Sequence, residues 1–267
     1  MSVRLLEELT DMEKLALIPV SYSRLETFVG QWGCHAKYFY SYIVGEEDVF
    51  GAAAQLGTIL HSVLEKELEP NQVITDDLLF SFTERYLAEL EDNDPEQIIN
   101  DTLVKEGAWM LSEFVDRHKG ESFPVHTKEL AFEIVIGSAL VRGYIDRVDI
   151  EGDRVTITDY KSGKGEVATK HIAKNLQLGI YAMVAKKFFP GKEVYAQLYY
   201  LRSGKMKGHL FTDGDLLEFE DVITTLVDDL IYRQDYNPTD NYRVCYSCGF
   251  AKNGVCPTGE KRLRSRR

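Results

Sequence analysis

Two neighbouring segments of the chain, residues 140–150 and 154–161, alternate between apolar and other side chains. Such alternation is typical of β-strands, and the short connection between the segments indicates an antiparallel hairpin. With 151–154 as a four-residue loop, apolar side chains oppose one another, which is how register is normally fixed. The aligned apolar pairs are Ile150 with Val155 and Val148 with Ile157.

This register predicts that Asp146 lies opposite Asp159, with Lys161 two residues further on the same face. Directly opposed residues have Cβ atoms about 4.5–5.5 Å apart, so the two carboxylates lie side by side. Like charges on a half-buried face are costly unless a cation compensates them. Mg²⁺ or Mn²⁺ suits carboxylate oxygens, so we predict a metal site. The simpler alternative is a solvated strand end.

The order of elements predicts an α/β (α+β) fold with a mixed sheet. We expect a mainly helical lobe over 1–120, including helices before and after Pro19, a sheet-containing core over 121–233, and an irregular, cysteine-bearing tail over 234–267. Within a single domain spanning 1–267, the predicted helices cover 52–69, 75–91, 95–119, 167–189 and 216–232, and the further strands cover 126–137, 194–201 and 206–211.

The net charge excludes a chain that coats nucleic acid over its whole surface. There are 31 basic and 43 acidic residues, a formal charge of -12, although a local basic groove is compatible with that balance. Residues 261–267 are rich in basic side chains. Such a segment is typical of a solvated tail, and the alternative is a phosphate-binding segment. We expect neither a membrane span nor a signal peptide, and hence a cytoplasmic protein.

Several motifs follow one another in the order found in one family. They are 21–28 (SYSRLETF) followed by Cys34, 57–61 (GTILH), 143–149 (GYIDRVD), 159–163 (DYKSG) and 177–181 (QLGIY). Together they resemble the PD-(D/E)xK nuclease superfamily, in its RecB-like branch. The resemblance implies a restriction-endonuclease-like mixed sheet flanked by helices, and a bacterial, archaeal or phage-infected host cell.

The same resemblance implies roles for individual residues. His61, Asp146, Asp159 and the main-chain carbonyl of Tyr160 would bind Mg²⁺ or Mn²⁺, and Lys161 would orient or activate the attacking water. Gln177 and Tyr181 would support the site and the DNA strand. Glu129 corresponds to the upstream glutamate of the family, with Glu133 as the alternative.

Helical spacing bears independently on His61 and on a stripe that includes Gln177 and Tyr181. His61 shares a helix face with Leu64 and Leu68, where a histidine is otherwise a hydrogen-bonded core residue. Lys170, Lys174, Gln177 and Tyr181 recur at i, i+4, i+7 and i+11 of the predicted helix 167–189. Such a stripe suits a groove that follows a DNA backbone, and it is equally typical of a solvated face.

Four cysteines remain: Cys34, Cys245, Cys248 and Cys256. Four thiolates can complete a zinc site or an iron–sulfur cluster, and buried unpaired thiols are the third alternative. The arrangement resembles iron–sulfur nucleases of the RecB-like branch, including the AddB nuclease domain and CRISPR-adaptation nucleases. The resemblance implies a structural 4Fe–4S cluster, and the seven-residue gap before Cys256 leaves zinc open.

We therefore expect a Mg²⁺- or Mn²⁺-dependent deoxyribonuclease, an exonuclease on single-stranded or end-containing DNA in recombination, repair or phage DNA metabolism. A helicase or recombination partner would be a separate protein, because the chain has no Walker-type phosphate-binding motif. The alternative is a non-catalytic nucleic-acid-binding or assembly module with the same fold. Such a module has no need of Asp146, Asp159 and Lys161 together.

Overall fold

A computed structural model describes residues 3–10, 17–30, 33–46, 48, 51–94 and 98–265. These residues form a seven-stranded mixed sheet in the order β1-β3-β4-β5-β6-β7, with β2 paired to β4. The strands are β1 (Arg4–Leu5), β2 (Ile18–Val20), β3 (Val125–Ile136), β4 (Ala139–Glu151), β5 (Arg154–Lys161), β6 (Glu193–Tyr200) and β7 (Lys205–Phe211). The β5–β6 and β2–β4 pairs are parallel and the others antiparallel.

The β4–β5 hairpin has the predicted register. Val148 pairs with Ile157 and Ile150 with Val155, and the ladder runs on to Arg147 opposite Thr158. The connection is shorter than predicted because Glu151 and Arg154 are themselves paired. Gly152 supplies the left-handed backbone of this tight turn, with φ of 54°.

Strands β3 and β4 shift register between Val125 and Thr127, and their pairing is also interrupted at Glu129. Pairing of Lys128 with Arg147 and of Leu130 with Ile145 leaves Glu129 between them, with a left-handed φ of 46°. Ile145 and Val148 lie in the same core although strict alternation would place them on opposite faces. Glu129 and Asp146 therefore lie at the point where the regular alternation of side chains between the two faces of the sheet is interrupted.

One face of the sheet packs against α1 (Tyr22–Val29), α6 (Leu176–Phe188) and α7 (Asp213–Tyr232). Helix α6 lies in the centre of this layer and is buried continuously over 177–185. Helix α7 begins at a capping box formed by Thr212 and Asp215, and its buried residues recur at helical spacing.

The other face carries a second core formed with α3 (Ala52–Glu67), α4 (Asp76–Asn93) and α5 (Asp101–His118). The buried residues of α3 follow the i, i+3, i+4, i+7, i+8 pattern of an amphipathic helix. They are Leu56, Ile59, Leu60, Val63 and Leu64. From the sheet, Tyr160, Tyr199 and Leu201 enter this core. The predicted α/β class with a mixed sheet between helices is confirmed.

Two predicted elements were wrong, and a third begins later than predicted. The segment before Pro19 contributes β1, a 3₁₀ turn over Leu6–Glu8 and β2 rather than a helix, and residues 11–16 lie outside the described part. The helix predicted over 167–189 is a 3₁₀ turn (Thr169–Lys174) followed by α6, because the Asn175 side chain caps a new helix by accepting from the Leu178 N–H. The helix predicted over 95–119 is described only from residue 98, and α5 begins at Asp101.

The tail is also more regular than predicted. It contains α8 (Tyr242–Ser247), α9 (Gly249–Lys252) and α10 (Pro257–Arg264). Between α1 and α3 lie α2 (His35–Tyr38) and a π-helix (Phe39–Val44). No helix within the described ranges is long and apolar enough to cross a bilayer.

Candidate active site

Gln177 joins the two residues at the end of β5. Its Nε2 donates to Asp159 Oδ1 at 2.7 Å, and its Oε1 accepts from Lys161 Nζ at 2.8 Å. An amide can donate to a carboxylate and accept from an ammonium at the same time, which a charged side chain of similar size cannot do. Gln177 Nε2 also donates to the Tyr181 hydroxyl at 3.0 Å, so one face of α6 fixes the end of β5.

Asp146 lies beside this group and receives two contacts. The main-chain N–H of Tyr160 donates to Asp146 Oδ2 at 2.8 Å, which links β4 to β5 beyond the last paired residues. His61 Nδ1 of α3 lies 3.2 Å from the same oxygen. The predicted proximity of Asp146 to the 159–161 segment is thus present in the structure, with His61 approaching from the other layer.

Burial controls the charges of these groups. Burial raises the pKa of Asp159, and the nearby Lys161 only partly opposes that shift. Burial alone would lower the pKa of Lys161, but the adjacent Asp159 carboxylate outweighs it and the net shift is upward. In the same way, burial opposes protonation of His61, and the Asp146 carboxylate reverses the sign, so its pKa is raised. Each carboxylate therefore favours the protonated form of the basic group beside it.

Glu129 and Glu65 complete the acidic side of the site. Together with His61 and Asp146 they line a cleft of about 710 Å³, which also reaches Gly57 and Ser162. Burial, followed by repulsion from Asp146 and Glu65, raises the pKa of Glu129 to about 7. Glu133 is exposed and lines a different cleft, so of the two predicted alternatives only Glu129 lies at this site.

The donor set suits a hard divalent cation. Asp159 Oδ2 is buried and lies 2.7 Å from Lys161 Nζ as an ion pair. A buried carboxylate oxygen of this kind is a ligand of the type that Mg²⁺ and Mn²⁺ prefer. As arranged, no three His, Cys, Asp or Glu side chains of the described segments are grouped closely enough to hold an ion, and the Asp146 and Asp159 oxygens instead contact His61 and Lys161.

Comparison with known protein families agrees with this arrangement. The family model described as the PD-(D/E)XK nuclease superfamily matches residues 19–257. The chain belongs to the PD-(D/E)XK nuclease superfamily. The match spans the hairpin with Asp146, Asp159 and Lys161, as well as His61 and Gln177. Members of this superfamily generally use Mg²⁺ or Mn²⁺.

Two solved structures are similar to this nuclease. A crystal structure of a candidate exonuclease from Eubacterium rectale has a TM-score of 0.51 at 12% identity, covering 84% of this chain and 85% of that one. At that identity the likeness concerns the fold. A crystal structure of a protein named SSO0001 has a TM-score of 0.37 at 20% identity, covering 76% of this chain and 95% of that one. No curated protein sequence matches the chain.

The predicted basic stripe is divided in this PD-(D/E)XK nuclease. Gln177 and Tyr181 are buried on α6, whereas Lys170 and Lys174 are exposed on the preceding 3₁₀ turn. The stripe was predicted from a continuous helix, and the cap at Asn175 breaks that continuity. The two lysines therefore do not share a helical face with the amide and the tyrosine.

Sequence reasoning missed two residues near the site. Glu65 is four residues after His61 on α3, a spacing that places both on one face and could have been noticed. Tyr22 of α1 lies close enough to Asp159 that the carboxylate contributes, after burial and Glu26, to its raised pKa. The motif at 21–28 includes Tyr22 but assigns it no role, because only the fold brings α1 to the end of β5.

The four cysteines line one small cavity in a separate part of the molecule, together with Lys37 and Tyr40. All four are buried and unpaired, and main-chain N–H groups donate to two sulfurs, Thr239 to Cys34 and Gly259 to Cys256, each at 3.4 Å. Burial raises the pKa of Cys245 and Cys248. The number and type of donors suit a four-thiolate site, although the sulfurs as placed are not grouped to hold an ion.

Proposed function

We propose that this chain is a metal-dependent deoxyribonuclease whose reactive group comprises Asp146, Asp159 and Lys161. The observation that carries the proposal is the buried carboxylate of Asp159, paired with Lys161 Nζ at 2.7 Å, at the end of a strand next to Asp146. A binding module would gain nothing from burying these charges, because each costs desolvation free energy that no binding role recovers.

Asp146, Asp159 and His61 would hold Mg²⁺ or Mn²⁺, with Glu129 and the Tyr160 carbonyl as further candidates. When bound, the ion would lower the pKa of a water molecule and offset charge on the phosphate. Lys161 stays protonated through Asp159, so it supplies a fixed positive charge for the non-bridging phosphate oxygens. Gln177 holds the Lys161 ammonium in one position, which avoids reorganisation when charge develops.

We further propose exonuclease activity on DNA with single strands or free ends. Support comes from the RecB-like motif order and from the fold shared with the Eubacterium rectale protein, and the argument is by analogy. Residues 1–267 would act as one nuclease domain in the cytoplasm, in recombination, repair or phage DNA metabolism, with any helicase as a separate protein. Four unpaired cysteines are compatible with a reducing compartment.

We also propose that Cys34, Cys245, Cys248 and Cys256 hold a structural 4Fe–4S cluster, with zinc as the alternative. Cys34 precedes α2 and the other three lie in the tail, so a shared group would fasten the tail to the region around α2. Four protein ligands leave no open position on such a group, so its role would be structural.

The test is digestion of end-labelled linear DNA and closed circular DNA, with Mg²⁺, with Mn²⁺ and with EDTA. We expect metal-dependent loss of linear DNA and survival of the circle. Asp146→Ala, Asp159→Ala and Lys161→Ala should each remain folded by circular dichroism and lose cleavage, while Arg154→Ala, at an exposed arginine outside the site, should retain it. Full Mg²⁺-dependent cleavage by either aspartate variant would overturn the assignment of the reactive group. Cutting of the circular DNA would show that the activity is that of an endonuclease and not of an exonuclease.

A further inference from the structure

A second cleft adjoins the reactive group. We call it the Tyr144 cleft. It has a volume of about 910 Å³, within the range of pockets that bury a small organic ligand. It shares no lining residue with the His61 cleft, and it reaches the reactive group through Gln177 and Tyr181. Its other lining residues include Ser21, Tyr22, Phe132, Arg142 and Tyr144.

Tyr144, one of the residues that line this cleft, has a largely uncovered aromatic ring. It lies on β4 two residues before Asp146 and is 62% exposed. Its cross-strand partner is Ala131, whose methyl group is too small to cover a phenol ring. Within the described segments its ring stacks on no other aromatic ring or cation, unlike Phe132 and Tyr181, which pack edge to face in the same cleft. An exposed aromatic ring beside a nuclease site is a stacking platform of the type that single-stranded nucleic acids use.

Arg142 supplies a free positive charge beside this ring. It is exposed, and it lies two residues before Tyr144, so the two side chains project from the same face of β4 about 7 Å apart along the strand. Glu133 is its cross-strand partner, yet Arg142 forms no ion pair with any described residue. Arg154, by comparison, is exposed on β5 and is paired with Glu193 at 3.2 Å. An unpaired guanidinium next to a stacking ring suits a phosphate attached to a stacked base.

We propose that the Tyr144 cleft binds a single-stranded segment of the DNA substrate beside the scissile phosphate, with a base stacked on Tyr144 and a backbone phosphate held by Arg142. This inference rests on the proposed function and adds the two residues that would recognise the single strand. A base can reach the ring only when it has left the double helix, so the cleft favours single strands and melted ends over paired duplex.

Binding can be measured separately from cleavage. The probe is a fluorescein-labelled thymidine oligonucleotide of about 12 nucleotides, followed by fluorescence anisotropy in EDTA, where no hydrolysis occurs. We expect Tyr144→Ala to weaken binding about tenfold and Tyr144→Phe, which keeps the ring face, to restore it. The matched control is Tyr232→Ala, which removes a tyrosine that is 77% exposed at the end of α7 and should leave the affinity unchanged.

Arg142→Gln should weaken binding and also reduce its dependence on salt. Loss of one phosphate contact lowers the slope of log affinity against log salt by about 0.7 for a single strand. Arg154→Gln is the control, since that arginine lies outside the cleft and already has a partner. A blunt duplex of the same length should bind with an affinity that Tyr144→Ala does not change.

Failure of this inference is distinguishable from failure of the proposed function. If wild-type protein cleaves DNA with Mg²⁺ while Tyr144→Ala binds the oligonucleotide as tightly as wild type does, only the stacking site is wrong. An equal loss of duplex and single-strand affinity in Tyr144→Ala would overturn the single-strand preference. If wild-type protein cleaves no DNA in any metal, the nuclease proposal fails, whatever the anisotropy shows.

Discussion

Gln177 Nε2 donates a hydrogen bond of 2.7 Å to Asp159 Oδ1, from a helix to the strand end that faces it. The contact is buried on both sides, since Gln177 is 7% and Asp159 2% exposed. The other end of the same amide accepts from Lys161 Nζ. The relative position of the carboxylate and the ammonium is therefore set by α6 as well as by β5.

Replacing this amide should reduce activity without unfolding the protein. Gln177→Ala removes the donor to Asp159 and the acceptor for Lys161, and loss of such a supporting contact typically costs about 10–100-fold in activity or metal affinity. Gln177→Glu should be at least as damaging, because it places a second carboxylate against a buried one. Initial rates and Mn²⁺ titration by calorimetry measure the two effects, and Asn175→Ala, which only caps α6, is the control. Unchanged rates in both variants would contradict a positioning role for Gln177.

Arg147 connects the two strands beneath the site. Its guanidinium, 4% exposed, donates to Asp149 Oδ2 at 3.1 Å and to the Tyr160 hydroxyl at 2.7 Å, and it stacks over Phe123 at 4.3 Å from the ring centroid. Arg147 directly follows Asp146, and Tyr160 directly follows Asp159. The contact therefore holds the backbones of both carboxylates at a fixed separation.

Arg147→Met should destabilise the fold by about 3–5 kcal/mol, since it leaves the Asp149 carboxylate buried without a cation. Arg147→Met with Asp149→Leu should recover much of that loss, because both charges are then absent. Urea unfolding gives the free energies. The control is Arg154→Met, whose exposed pair with Glu193 contributes less than about 1 kcal/mol. Equal losses of unfolding free energy in Arg147→Met and Arg154→Met would show that the buried ion pair stabilises the fold no more than the exposed one does.

Gly179 allows α7 to approach α6. A Cβ at this position would lie 2.5 Å from two ring atoms of Phe219, closer than real contacts allow. The helix-propensity gain of alanine, about 1 kcal/mol, opposes an overpacking cost of about 1–3 kcal/mol. We expect Gly179→Ala to lower the urea midpoint and Gly179→Ala with Phe219→Leu to restore it. Gly165→Ala, which meets open space, is the control. A midpoint for Gly179→Ala at or above that of wild type would disprove the contact.

Glu166 gives the fold a defined dependence on pH. Hydrogen bonds from Lys207 and Ser203 lower its pKa to about 2, and Lys207 Nζ lies 2.8 Å away. Because the folded-state pKa is below the usual 4.5, the unfolded state binds more protons between these values, so this contribution to stability is complete above about pH 4.5 and is lost towards pH 2. Thermal unfolding of wild type and Glu166→Gln should therefore differ at pH 7 and converge as the pH falls towards 3. If the difference in stability between wild type and Glu166→Gln grew as the pH fell, the pKa of Glu166 could not be lowered in the folded state.

The sequence predicted the hairpin register because one alignment of the two strands places Val148 opposite Ile157 and Ile150 opposite Val155, so that apolar side chains face one another. It could not predict β1 and β2, whose few residues pair with β3 and β4 through contacts distant in the chain. It also missed the kink at Glu129, because a left-handed backbone at a glutamate has no local sequence signal. Tyr144 was passed over because exposure depends on the size of Ala131, on another strand.

The region around α2 and the tail meet at the cysteine cavity, outside the reactive group, so metal content there is measurable independently of nuclease activity. Cys34 lies beside Thr239, and Cys245, Cys248 and Cys256 lie in one apolar cluster. We expect protein purified without oxygen to be brown, with visible absorption that dithionite bleaches and iron and sulfide in the ratio of a 4Fe–4S cluster.

Cys34→Ala should lose the colour and become poorly soluble, because one missing ligand releases the tail from the region around α2. Ser247→Ala, a similar change at an exposed position between two of the cysteines, is the matched control and should stay brown and soluble. A colourless wild-type protein with one zinc per chain would show that the site holds zinc and not an iron–sulfur cluster. A soluble Cys34→Ala protein that melts at the wild-type temperature would show that the four thiols hold no shared group, because removal of a ligand from such a group cannot leave the stability of the fold unchanged.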